Sequence, residues 1–287
     1  MTLSAAEQLT YSTLRIECSL EGGEKSYGSG FFFRFKETKT QHIPALVTNR
    51  HVIAGALRGD LRFHVSNDAR DAPTSQTHTV RIEQFERAWI EHPDPSVDLC
   101  ILPLAGVVRA ATRAGKTLYY TSLDRSLLPS ADVTAEFDAI ENVIMVGYPN
   151  AIWDAANNLP LVRQGITATH PAVDFEGKKE FMIDAACFPG SSGSPVFLYN
   201  VGMHRVAKTG GMKLGSRILL LGVLYAGPQH TAVGDIEITE IPTRRQARAI
   251  SSIPNNLGLV IKAERLLEFD AQLDVRLDLD RKRGDAS

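Results

Sequence analysis

Short apolar runs, each closed by glycine, proline or a polar cluster, recur along most of this chain and limit it to a small menu of folds. Thr13 to Cys18, Gly28 to Phe35 and Pro44 to Thr48 form a first series, and Phe63 to Ile90 adds further strands around a polar loop, Ser66 to Thr79. Asn142 to Pro149, Gln164 to Ala168, Glu180 to Ile183, Pro195 to Leu198, Ile218 to Leu224 and Leu257 to Ile261 form a second series. Runs this short, with turn residues at each end, specify antiparallel β structure of the barrel or sandwich kind. Between Ala105 and Phe137 the composition is mixed, with Gly115 and Pro129, which marks a crossing between two lobes. Lys262 to Leu273 has the pattern of an amphipathic terminal helix, and a charged tail follows from Asp274.

The chain has 287 residues, enough to bury roughly three quarters of the surface it exposes when unfolded. With 44% hydrophobic and 22% charged residues and a formal net charge of −2, bulk charge gives no reason to expect a nucleic-acid or membrane-surface partner. Met1 to Leu20 lacks a basic start and an apolar run, so neither a leader nor an anchor is expected. Cys18, Cys100 and Cys187 are odd in number and far apart, unlike a disulfide framework or a metal cluster. A reducing, cytoplasmic location and no metal or organic cofactor are the corresponding expectations.

The densest local signal is Phe188-Pro189-Gly190-Ser191-Ser192-Gly193-Ser194-Pro195-Val196-Phe197. Glycine admits positive φ and proline removes a donor, so this stretch is a tight loop rather than helix or central strand. Apolar residues on both sides make it a link between two buried strands, which would present a serine on a rigid scaffold. A Gly/Ser cluster standing alone is most simply a turn. Here the pattern is accompanied, upstream and in order, by Thr48-Asn49-Arg50-His51-Val52-Ile53 after one strand and by Val97-Asp98-Leu99-Cys100-Ile101 at the start of another.

Those three segments resemble, in order, the histidine, aspartate and serine segments of the chymotrypsin superfamily, and most resemble its HtrA (Deg)-type branch. Gly28-Ser29-Gly30-Phe31, Val146-Gly147-Tyr148-Pro149, Gln164-Gly165-Ile166-Thr167-Ala168 and Asp184-Ala185-Ala186 also match that branch, so the likeness runs over about residues 11 to 270. The resemblance implies an all-β fold of two packed six-stranded antiparallel β-barrels with a short C-terminal helix. It divides the chain into an N-terminal lobe at 1–125 carrying His51 and Asp98, a C-terminal lobe at 126–273 carrying Ser192, and a tail at 274–287, with no appended PDZ module.

It further implies a serine endopeptidase. A serine hydroxyl attacks a carbonyl only when a base takes its proton, a role suited to His51, while a carboxylate such as Asp98 fixes the imidazole tautomer. Backbone N–H groups of Gly190 and Ser192 take the oxyanion-hole positions. Ser191 stands where trypsin-like zymogens carry an acid, so no switch of that kind is expected. Ala186 falls at the floor of the pocket for the residue before the cut, bordered by Cys187, and Tyr225-Ala226-Gly227 matches the strand that pairs with the substrate backbone. A small or medium apolar residue before the cut follows from that uncharged pocket.

A protein or peptide substrate is therefore expected, with a peptide-binding pseudoprotease and a small-molecule esterase or amidase as the alternatives. His64, His78 and His92 sit in polar or Pro-rich surroundings and read as solvated. The insertion at 228–256, with Arg244, Arg245 and Arg248, reads as a solvated basic loop or as a site for a regulatory partner protein.

Overall fold

The computed structural model describes residues 3–206, 210–227, 229–236, 247–254 and 256–274. Strands β1 (Thr13–Ser19), β2 (Lys25–Phe35), β3 (Ile43–Thr48), β4 (Arg58–Ser66), β5 (Pro73–Glu83), β6 (Ile90–Glu91), β7 (Cys100–Pro103) and β8 (Leu118–Tyr119) make one antiparallel sheet. Its order is β5-β4-β1-β2-β3-β7-β6, with β8 beside β4. Strands β9 (Asn142–Gly147), β10 (Leu161–Thr167), β11 (Glu180–Asp184) and β12 (Pro195–Asn200) belong to a second sheet. After a small ribbon of β13 (Met203–Arg205) and β14 (Met212–Leu214), that sheet is completed by β15 (Arg217–Ala226) and, beyond β16 (Gln229–Ile236) and β17 (Ala247–Pro254), by β18 (Leu257–Lys262). It closes as a six-stranded barrel in the order β10-β11-β18-β15-β12-β9.

The expected pair of six-stranded barrels is thus met in the second sheet, while the first is an open eight-stranded sheet. Closure of the first would require β6 to lie along β5. These two edge strands are joined in sequence by the turn Phe85–Ala88, where Phe85 and Glu86 donate to the Leu57 and Ala56 carbonyls and the buried Phe85 ring fills the space over Gly59. The polar stretch read as a loop before Val80 is largely strand as well. An edge strand with one solvated face carries polar residues such as Gln76 and Thr77 without breaking its ladder.

Helices are few. α1 (Ala5–Thr10) carries a capping box between Ser4 and Glu7, and α2 (Arg50–Ile53) is a single turn after β3. α3 (Ala105–Arg113) lies in the stretch read as an irregular crossing and buries Val107 and Ala111, one helical turn apart, against the first sheet. The terminal helical segment is found as expected. A 3₁₀ turn, Ala263–Glu268, runs into helix at 269–274, and Leu266, Phe269 and Leu273 enter a core that also contains Phe31, Phe33 and Phe35 of β2.

The same core includes Val146, Phe197, Leu220 and Val223 of the barrel, so the two sheets share apolar packing rather than touching at a polar seam. The insertion after Gly227 forms an antiparallel ribbon, β16 against β17, rather than an irregular loop. Within it Arg248 pairs in register with Asp235, while Arg244 and Arg245 lie outside the described residues.

Candidate active site

His51 and Asp98 are brought together by strand register. β3 pairs antiparallel with β7, Thr48 opposite Cys100, so the chain leaving β3 and the chain entering β7 emerge at the same edge. Fully buried Asn49 ties the two exits, its Nδ2 donating to the Asp98 carbonyl at 2.8 Å. The His51 backbone N–H donates to Asp98 Oδ1 at 3.1 Å, and Asp98 Oδ2 lies 2.5 Å from His51 Nδ1. A carboxylate only accepts, so this contact assigns the proton to Nδ1 and leaves the Nε2 lone pair for a substrate-side partner. Burial pushes the Asp98 carboxyl up, but the His51 hydrogen bond, the His51 charge, the backbone donor and Arg50 outweigh it and hold the group below its ordinary value. Asp98 is therefore ionised at neutral pH.

Ser192 lies in the loop between β11 and β12. The bend needs residues without a side chain: Gly190 has φ +85° and Gly193 has φ +84°. A Cβ on Gly193 would overlap the Ser29 carbonyl oxygen and the Thr48 hydroxyl. Inside the loop, Ser191 N–H donates to Phe188 O at 2.9 Å, Ser194 N–H to Ser191 O at 3.0 Å, and Gly193 N–H to Leu224 O at 2.8 Å. Ser191 is buried, and its Oγ accepts from Phe188 N–H at 3.4 Å. Among the described residues the N–H groups of Gly190 and Ser192 make no hydrogen bond, so both are left to a ligand oxygen.

A residue of the first sheet holds this loop. Ser29, fully buried on β2, donates from Oγ to Gly190 O at 2.8 Å and accepts from Tyr148 N–H at 2.9 Å. Its backbone N–H donates to Ser192 O at 2.9 Å, and its carbonyl accepts from Thr48 Oγ1 at 2.7 Å. One serine thus connects the strand that leads to His51, the loop that carries Ser192, and the start of the β9–β10 connection. The Ser192 hydroxyl itself donates to Tyr225 O at 3.4 Å, and among the described residues no hydrogen bond joins it to His51.

Of the residues expected to bind substrate, Tyr225 and Ala226 are half-buried at the end of β15 and Gly227 is exposed beyond it. The Tyr225 hydroxyl donates to Glu180 at 2.9 Å, and burial first, then that carboxylate, push the phenol's pKa up. Ala186 is half-buried, but Cys187 faces inward among Ile183, Leu224 and Val260, where a Cβ on Gly258 would stand 2.6 Å from its Sγ. Burial pushes its thiol up to about 11, against the opposing charge of Arg163, so it acts as packing rather than as a nucleophile.

Arg163 of β10, which the sequence reading passed over, lies at this position: it donates to the Ala186 carbonyl, and its Cζ is 4.7 Å from the centroid of the Phe188 ring. Ser29, Thr48 and Asn49 stand inside the matched segments, but the sequence assigns them no role of their own.

His92 and His64 are held by the fold. His92 is buried rather than solvated: its Nε2 donates to Arg265 O at 3.1 Å and its ring meets Phe269 edge-on. His64 is half-buried, donating to Asn158 O at 3.1 Å. Among the described residues no three His, Cys, Asp or Glu side chains gather as metal ligands, and no helix is long and apolar enough to cross a membrane.

An antiparallel barrel joined to a second sheet, with a histidine–aspartate pair and a serine loop at their junction, defines a class. The family model described as "Trypsin-like peptidase domain" matches residues 28–202, a span that contains His51, Asp98 and Ser192, and the chain belongs to that family. The HtrA-type protease AlgW, solved with a tripeptide, is similar with a TM-score of 0.50 at 15% identity, over 92% of this chain and 60% of that one. The chain thus spans less than two thirds of that relative's length. The Rv3671c protease of M. tuberculosis in its active form gives a TM-score of 0.43 at 15% identity, over 93% of this chain and 81% of that one. At such identity the likeness to AlgW speaks for the fold alone. No curated protein matches the chain.

Proposed function

We propose that this protein is a serine endopeptidase in which Ser192 is the nucleophile, His51 the general base and Asp98 the group that orients and charges the base. The observation that carries this reading is the two-point contact of Asp98 with His51, at the edge where Ser29 also binds the Ser192 loop. In the reaction, Ser192 Oγ attacks the scissile carbonyl while His51 Nε2 takes its proton. The tetrahedral oxyanion accepts from Gly190 and Ser192 N–H, and His51 returns the proton to the leaving amine, leaving an acyl-enzyme that water hydrolyses.

Substrate would lie along Tyr225-Ala226-Gly227 as an added strand. Its backbone N–H groups would compete for Tyr225 O, which now accepts from Ser192, so substrate binding would free the hydroxyl for His51. The catalytic unit divides into lobes at 1–125 and 126–273, acts on protein or peptide substrates, and works in the cytoplasm. The ribbon of β16 and β17 leaves directly from Gly227, which makes it the place for a regulatory partner. Unchanged activity and association after deleting 229–254 would remove that role.

Labelling with a fluorophosphonate probe tests the core of the reading. Adduct on Ser192, lost in Ser192→Ala and His51→Ala, is expected by mass spectrometry. A folded chain that stays unlabelled would sink it. One observation favours a second reading, a peptide-binding domain without turnover: the Ser192 hydroxyl bonds to Tyr225 O. Peptide binding without labelling is the outcome that would select it.

A further inference from the structure

Ala186 and Cys187 by themselves specify an uncharged pocket for the side chain before the cut. Three-dimensional packing alters that. β10 runs behind the loop that leads to Ser192, and from it the Arg163 guanidinium reaches the carbonyl of Ala186 and lies over the ring of Phe188. A bonded carbonyl and a stacked ring both orient the planar group, leaving most of its five donors for something else.

That something is missing from the chain. Arg15, Arg217 and Arg265 have carboxylates, in Glu17, Glu141 and Asp94, whereas Arg58 and Arg62, equally half-buried, bond to the hydroxyls of Ser19 and Thr77; Arg163 differs from those two in lying against Ala186. Arg163 has no carboxylate partner among the described residues, although burial already makes its charged form costly and lowers its pKa. A partly buried cation with one neutral acceptor is electrostatically incomplete, and a ligand carboxylate is the chemistry that completes it.

We infer that Arg163 is a specificity-determining residue and that the preferred residue before the cut is glutamate or aspartate, its carboxylate binding the guanidinium beside Ala186. This rests on the protease reading above. The carboxylate would enter over Ala186, take a paired hydrogen bond on the fork of Arg163, and share the guanidinium with the Ala186 carbonyl. Val, Leu or Gln in the same place would leave the cation without a counter-charge, and Arg would oppose it directly. Charge-assisted paired bonds of this kind correspond to a discrimination of about 10- to 100-fold after the ligand's own desolvation.

The test uses the full chain and fluorogenic peptides identical except for Glu, Gln, Val or Arg before the cut. Glu is expected to exceed Gln and Val by about 10- to 100-fold in kcat/KM, with Arg slowest. In Arg163→Met the Glu-to-Val ratio should fall to about 1, whereas Arg163→Lys should keep part of it as a point charge without the fork. A wild-type preference for Val or Arg, or a ratio that Arg163→Met leaves unchanged while thermal unfolding shows an intact fold, overturns the inference without touching the protease reading.

If no peptide is cleaved, the protease reading fails by itself and the pocket is measured by binding. Fluorescence anisotropy on Ser192→Ala with product-like peptides ending in Glu or Val then decides. Tighter binding of the Glu peptide, lost in Ser192→Ala combined with Arg163→Met, upholds the site; equal binding removes it.

Discussion

Replacing Ser29 with alanine should damage both stability and rate, because one hydroxyl serves two backbone groups of the cleft. Its Oγ donates to Gly190 O at 2.8 Å and accepts from Tyr148 N–H at 2.9 Å, all at a fully buried position. Alanine is isosteric apart from the hydroxyl, so the backbone hydrogen bond from Ser29 N–H to Ser192 O should survive. Each buried partner left unmatched costs about 1–3 kcal/mol, which puts the total at roughly 2–6 kcal/mol. Part would be recovered by the Gly190 peptide turning toward another donor.

Turning the Gly190–Ser191 peptide changes the Gly190 dihedrals and so re-aims the neighbouring Gly190 N–H, one of the two proposed oxyanion donors; losing one such donor typically lowers kcat by about 10²–10³. Urea unfolding measures the first quantity and steady-state kcat the second. Ser12→Ala provides the comparison. Ser12 is equally buried, but among the described residues its hydroxyl bonds only to Leu9 O, at 2.7 Å. It should cost about 1 kcal/mol of stability and leave kcat unchanged. A full kcat in Ser29→Ala, or equal rate losses in the two variants, would refute the assignment of Ser29 as a positioning residue for the oxyanion loop.

Asp98→Asn should keep the fold and lower kcat by about four orders of magnitude, because an amide opposite Nδ1 favours the wrong tautomer; a loss below about tenfold in steady-state kinetics would exclude Asp98 from the triad. His64 makes the fold less stable in mild acid. Its burial is the largest cause of a lowered pKa, with Arg62 adding to it and the Asn158 carbonyl opposing it. With the folded value below the unfolded one of about 6.5, the unfolded chain binds more protons between the two. Stability is therefore fully present above about 6.5 and is lost as pH falls toward the folded value. Urea midpoints from pH 8 to pH 5 should fall more steeply in wild type than in His64→Gln, and parallel curves would remove His64 as the cause.

Much of the site was readable from residue order because its parts are local devices. The Phe188–Phe197 loop declares itself through Gly190, Gly193 and Pro195, whose backbone limits hold in any surroundings, and His51 and Asp98 each sit beside a recognisable strand end. The strand series likewise follows from alternation and turn residues, and the amphipathic spacing of Leu266, Phe269 and Leu273 is enough to mark the terminal helix. α3 escaped because a single short helix with Val107 and Ala111 as its buried face carries too little periodicity to stand out from its neighbours. His92 was misread for a related reason: polar neighbours in sequence do not reveal that Phe269 and Arg265 cover it.

What the chain order could not hold is the set of contacts made by partners remote in sequence. Ser29 and Gly190 are 161 residues apart, and the hydroxyl finds that carbonyl only because β2 and the barrel share one core. That the first sheet stays open, with β5 and β6 at its two edges, is likewise a matter of which strands pair. Arg163 reads in sequence as one more strand cation, and only the packed strands show it against Ala186 with no carboxylate partner among the described residues. Local backbone preference determines loops and strands residue by residue, whereas a side chain's electrostatic partner is selected by tertiary packing.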